Sequence, residues 1–127
     1  MTGKNVYEVD ATTIDSNGVV VPQDLDGEPD AYEFGDRELA RQWAAKIVND
    51  ADESVDAQPL ATTSDDGSFQ EYDEVGSTRT VATGSPPDNV ELLSHDDVAA
   101  SVGVKLVAAT TPTTGTVKVV FNSRRYG

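Results

Sequence analysis

The last third of the chain carries two runs in which apolar residues recur at every second position, and this period limits what the chain can become. Val102, Val104, Leu106 and Ala108 alternate with Gly103, Lys105 and Val107, and Val117, Val119 and Phe121 alternate with Lys118 and Asn122. A period of two puts one set of side chains on one face of a β-strand. Between the runs stands Thr110-Thr111-Pro112-Thr113-Thr114-Gly115, whose turn-forming residues predict a hairpin connection. Val107 and Val120 add apolar groups to the second face. A strand pair apolar on both faces is usually central or covered by another layer. Because the apolar fraction of the whole chain is only 37%, a neighbouring subunit is the expected cover.

The same reasoning runs back to the start. Tyr7, Val9 and Ala11 alternate with Glu8 and Asp10, and Asp15-Ser16-Asn17-Gly18 precedes Val19-Val20-Val21-Pro22. Asn-Gly is a strong short hairpin signal because both residues tolerate positive φ, so a hairpin is predicted here. A turn-rich loop over 24–30 and a short strand over 31–34 follow. Asp36 then has the chemistry of a helix N-cap, and behind it Leu39, Trp43 and Ile47 fall four apart. This spacing predicts an amphipathic helix over 37–49. Residues 1–50 would thus form a ββα-like unit, a generic arrangement that resembles many small modules.

From Asp50 the chain turns polar, with Pro59 and Gly67 as breakers, and 51–67 is expected to be an acidic loop or arm. Weak alternation returns at 68–75 and 78–83, and Gly84-Ser85-Pro86-Pro87-Asp88 breaks the chain again. Ser94 and Asp97 have the spacing of a capping box, which predicts a short helical turn. The expected fold is α+β and mainly β: antiparallel hairpins, one principal amphipathic helix and long polar loops. At 127 residues it is one domain, with 68–127 as its β-rich part.

Charge narrows the partners. The chain has 23 Asp and Glu against 9 Lys and Arg, a net charge of −14 spread along its length. Such a field repels phosphates and anionic lipid head groups, so neither nucleic acid nor a membrane surface is an expected partner. Zero cysteines remove disulfides, thiol nucleophiles and thiolate metal sites. Met1 to Val9 has no apolar core of a signal peptide, and no run of apolar residues is long enough to span a bilayer. Dispersed acid, scarce Lys and abundant Thr, Val, Ala and Asp make the chain resemble structural proteins of halophilic archaea and their viruses. This is a likeness of composition over the whole chain, without a motif. Its physical basis is screening: in multimolar salt the Debye length shrinks to about 3 Å or less, so like charges cost little and hydrated carboxylates keep the surface wet.

Candidate sites are few. His95 is the single histidine, and within Ser94-His95-Asp96-Asp97 adjacent residues cannot converge as nucleophile, base and orienter. No catalytic set is expected, and the chain is read as something other than an enzyme. Asp24, Asp26, Glu28 and Asp30 alternate around Gly27, a spacing that suits either an ordinary acidic turn or a site for a hard cation such as Ca²⁺ or Mg²⁺. It is not an EF-hand, since Pro29 stands where that loop needs Gly and Gly35 where it needs Glu. No other cofactor is expected. The C-terminal Arg124, Arg125 and Tyr126 hold the one adjacent basic pair, which suits either a solvated tail or a peg that docks on carboxylates of another subunit. With Val107 and Val120 they form the expected partner-contact set. The expected role is a virion structural protein of a halophilic archaeal virus: a small capsid-associated, decoration or connector subunit in an oligomeric assembly. The alternative is a cellular haloarchaeal protein-interaction module, cytoplasmic in location.

Overall fold

The computed structural model describes residues 6–21, 32–33, 42–62, 73–95 and 101–124. Ten strands follow in order: β1 (Val6–Asp10), β2 (Val19–Val21), β3 (Tyr32–Glu33), β4 (Gln42–Asn49), β5 (Val55–Thr62), β6 (Asp73–Glu74), β7 (Arg79–Val81), β8 (Val90–His95), β9 (Ser101–Val107) and β10 (Thr116–Arg124). They build two antiparallel sheets. The first runs β1-β10-β4-β8. In the second, β9 and β5 are central; β2 and β3 both pair with β9, and β6 and β7 both pair with β5. Taking β2 with β3 and β6 with β7 as interrupted edges leaves eight strand positions in two four-stranded sheets. The order in each sheet, first-last-third-sixth and second-seventh-fourth-fifth, is that of a jelly roll, in which the chain crosses between sheets at nearly every connection.

The strands predicted at both ends of the chain are present, but neither forms the predicted hairpin. β1 pairs with β10, and β2 pairs with β9 on the other sheet. β9 and β10 likewise belong to opposite sheets. Gly18 does take the positive φ that Asn-Gly foretold, at 90°, yet its turn carries the chain from one sheet to the other. Asp15 organises it, accepting from the backbone N–H groups of Asn17 at 2.9 Å and Gly18 at 3.2 Å. The Asp15 carbonyl also accepts from Ala108 at 3.0 Å, tying this crossover to the one that follows β9.

The principal helix is not there. Residues 42–49 form β4, the strand between β10 and β8, while Asp36 and residues 37–41 lie outside the described residues. Residues four apart share a face in a helix and also in a strand, because four is a multiple of two. Trp43, Ala45, Ile47 and Asn49 are buried, and Lys46 between them is exposed, so the side chains follow the shorter period. The β-branched Ile47 and Val48, with Trp43, suit a pleated surface. The capping box fails likewise, because Ser94 lies within β8; Asp97 is outside the described residues.

The expected acidic arm is instead a central strand. In β5, Val55, Ala57 and Ala61 join the core cluster, and Leu60 is wholly buried. Small side chains made this stretch look polar by composition. Pro59 is accommodated by a break in the neighbouring edge. Its carbonyl accepts from Val75 N–H at 3.0 Å, so its missing N–H faces the same way, towards the gap between β6 and β7. The Gln58 side-chain amide fills that place, donating to the Val75 carbonyl at 3.1 Å and to the Pro59 carbonyl at 2.9 Å. Thr78 Oγ1 in turn donates to Gln58 Oε1. Gly76, at φ 69°, turns the edge away before β7 resumes the pairing.

The core lies between the sheets. Val117, Val119 and Phe121 of β10 face Val102, Val104 and Leu106 of β9 within one cluster, closed by Ile14, Trp43, Ile47, Val81 and Leu93. Tyr7 meets Phe121 edge to face, with centroids 5.8 Å apart and planes at 74°.

Candidate interaction surface

At one end of the sandwich the connections 11–18, 50–54, 82–89 and 108–115 converge, and buried amides tie 50–54 to 82–89. The Asn49 side chain, with 0% exposure, donates to the carbonyls of Glu53 and Val81, both at 3.0 Å, and accepts from Ala51 N–H at 2.9 Å. Asn89 closes a reciprocal pair with it. Asn49 N–H donates to the Asn89 carbonyl at 2.9 Å, and Asn89 Nδ2 donates to the Asn49 carbonyl at 3.1 Å. Gly115, at φ 101°, lies so close to this knot that a Cβ there would come within 2.3 Å of the Asp50 carbonyl oxygen.

The rim of this end is acidic. Asp52 accepts from the N–H groups of Thr113 at 2.8 Å and Thr114 at 3.3 Å, and from the Thr113 hydroxyl. The Thr113 hydroxyl, then its amide, hold the Asp52 carboxyl below the ordinary carboxylate value. Asp10 is similar. It caps the 3₁₀ turn Ala11–Thr13, accepting from the Thr12 hydroxyl at 2.7 Å and its N–H at 3.0 Å, and the hydroxyl and then the amide lower its pKa. Asp15, Asp50, Glu53 and Asp88 complete the rim. Asp10 and Asp15 bond within their own loops, whereas Asp52 reaches across to the 108–115 connection and Asp50 accepts from Asn89 Nδ2 at 3.3 Å. Among the described residues, no group of three or more His, Cys, Asp or Glu is placed to hold a metal ion.

The two outer faces of the sandwich differ. On the β5–β9 sheet, Leu60 and its partner Gly103 point away from the core cluster and are nonetheless buried, as is Val20 opposite Lys105. On the β1–β8 sheet the outer face is open. One row of it runs Val6, Val120, Lys46, Leu92 across the four strands, and the next runs Glu8, Lys118, Val48, Val90. Leu92 is 58% exposed, and Val6, Val48, Val90 and Val120 are half-buried. Over the rows from Asp10 to Val6 the face carries Lys46 and Lys118 against Glu8 and Asp10, so this part of it is locally neutral on a chain of net charge −14. A neutral, half-apolar sheet face is the part of such a surface that another protein can approach without facing massed carboxylate.

Of the residues singled out by sequence, Val120 sits at the centre of this face. Val107 does not join it: it lies half-buried on the outer side of the other sheet, opposite Asp56. Arg124 ends β10, paired with Gln42. Arg125 and Tyr126, and the candidate cation ligands Asp24, Asp26, Glu28 and Asp30, lie outside the described residues. His95 ends β8 opposite Trp43. Sequence reading missed Leu92, Val6, Val48 and Lys46 as surface partners of Val120. Their alternation with buried neighbours was readable, but which strands stood side by side was not.

No protein-family model matches the chain, and no curated protein matches its sequence. Among the described residues no helix is long and apolar enough to cross a membrane.

Proposed function

We propose that the chain is a structural subunit of a halophilic archaeal virus particle, a small capsid-associated, decoration or connector protein that acts through protein contacts and not by catalysis. The observation that carries this reading is a jelly-roll strand order combined with a surface of −14 and one neutral, half-apolar sheet face. Jelly rolls recur in viral capsids, and also in lectins and cupins, so the fold agrees with the reading without requiring it. The acidic loops are consistent with a particle bathed in strong salt, where screening removes most of the mutual repulsion. Partner subunits would be proteins, in a homo- or hetero-oligomeric array.

The test is quantitative mass spectrometry of density-purified particles. A structural subunit co-purifies at a fixed ratio to the major shell protein through repeated banding. A ratio that falls with each round overturns the proposal and leaves the cellular interaction module in its place.

A further inference from the structure

We propose that Asn17 is a site of self-modification, deamidated through a succinimide formed with Gly18, and that the Asp15 carboxylate sets the rate. The chemistry needs only the turn over 15–18 and is independent of the subunit reading above. The Gly18 backbone nitrogen loses its proton and attacks Asn17 Cγ. The new N–Cγ bond closes a five-membered ring as the Cγ–Nδ2 bond breaks, and the amide takes up the proton and leaves as ammonia. Water then opens the ring at either carbonyl, giving aspartate, or isoaspartate, in which the chain runs on through Cβ. Among the described asparagines, Asn49 and Asn89 are buried, their amides are held by backbone carbonyls, and each precedes a residue whose side chain crowds the attacking nitrogen. Asn122 lies within β10, whose pairing with β4 fixes an extended backbone. Asn17 is exposed, lies in a turn and precedes glycine. The fold requires glycine there: φ is 90°, and a Cβ would come within 2.7 Å of Lys105 Cε and 3.1 Å of Val107 Cγ2. The residue that the crossover demands is thus the one that leaves the nitrogen unshielded.

Asp15 opposes the reaction. Gly18 N–H donates to Asp15 Oδ1 at 3.2 Å and to the Asp15 carbonyl at 3.3 Å, and Asn17 N–H donates to the same Oδ1 at 2.9 Å. The attacking nitrogen must give up the proton that these acceptors hold, beside a carboxylate that repels the negative charge developing on it. The nitrogen must also swing towards Cγ, while the Asp15 carbonyl is anchored from the far side by Ala108 N–H at 3.0 Å. Reaction therefore passes through local opening of the turn. Its product is lasting: each event adds negative charge, and isoaspartate lengthens the crossover between β1 and β2 by a backbone carbon.

The experiment ages the full chain in molar KCl at mildly alkaline pH and counts isoaspartate by isoaspartyl methyltransferase labelling, with peptide mapping to place it. The folded parent is expected to react first at Asn17, and about tenfold or more slowly than the same chain unfolded in urea. Asp15→Ala, checked by circular dichroism to remain folded, should react about tenfold or more faster than the parent. Asp15→Asn keeps an acceptor oxygen but not the charge, so its rate should fall between the two. If Asp15→Ala unfolds, folded Asp15→Asn reacting faster than the parent carries the same test. Isoaspartate arising first elsewhere, a folded parent that reacts as fast as the unfolded chain, or a folded Asp15 variant that keeps the parent's rate overturns the proposal.

Discussion

Replacing Asn49 tests whether the amide knot at the loop end holds the two sheets together. Its side chain serves three backbone groups, the carbonyls of Glu53 and Val81 and the N–H of Ala51, from a wholly buried position. Asn49→Ala removes three hydrogen bonds worth about 1 kcal/mol each and leaves at least one carbonyl in the dry core, so a loss of about 3–4 kcal/mol is expected. At about 4 °C per kcal/mol for a chain of this size, the thermal midpoint should fall by about 12–16 °C. Asn49→Asp keeps the shape but points a carboxylate at two carbonyl oxygens. Burial and the unfavourable oxygens raise that carboxyl's pKa in the folded state above its unfolded value. The variant's stability is therefore present below the unfolded pKa and lost as pH rises above it, so its deficit should widen from about pH 4 to about pH 7. The assay is thermal unfolding of parent and both variants in one molar-salt buffer, followed by circular dichroism. A loss under about 1 kcal/mol for Asn49→Ala, or an Asn49→Asp deficit that does not change with pH, would refute the reasoning.

Gly115→Ala should destabilise by about 2–4 kcal/mol, seen in chemical denaturation, because φ 101° strains any L side chain and the Asp50 carbonyl occupies the space. Gln58→Ala should cost about 1–3 kcal/mol and speed hydrogen exchange in β6 and β7, since the amide stands in for the N–H that Pro59 lacks. Acid should destabilise the chain: the folded-state pKa values of Asp10 and Asp52 are lowered, so their contribution is present above the unfolded value and lost as pH falls through the folded one. Midpoints measured downward from about pH 5 should fall, and Asp52→Asn should flatten that fall. Stability should rise between about 0.1 and 3 M KCl as the self-repulsion of the acidic surface is screened, and a flat or falling midpoint would count against salt adaptation.

What the sequence determined by itself is local. The alternation in 6–10, 102–107 and 117–121 requires strands with one face towards the core; that face is buried in the last two, and Tyr7 and Val9 of the first pack half-buried against the core. Asn17-Gly18 requires a turn with positive φ, and Gly18 has it. The charge of −14 fixes the character of the surface in any fold. What only the tertiary structure decided is pairing. A run such as 43–49 satisfies helix and strand periods together, and the two long neighbours of β4 settle which one wins, by pairing along both its edges. The stretch 55–61 is too poor in large apolar groups to announce a central strand. Burial of Ala57, Pro59 and Ala61 against β9 and the core makes it one. The neutral face likewise exists only once β1, β10, β4 and β8 are side by side. Val6, Val120, Lys46 and Leu92 are far apart in sequence, and alternation fixes the side of a strand each occupies but not its neighbour. Hydrogen bonding between backbones carries no residue code, so strand order emerges from how all the buried faces close on one another.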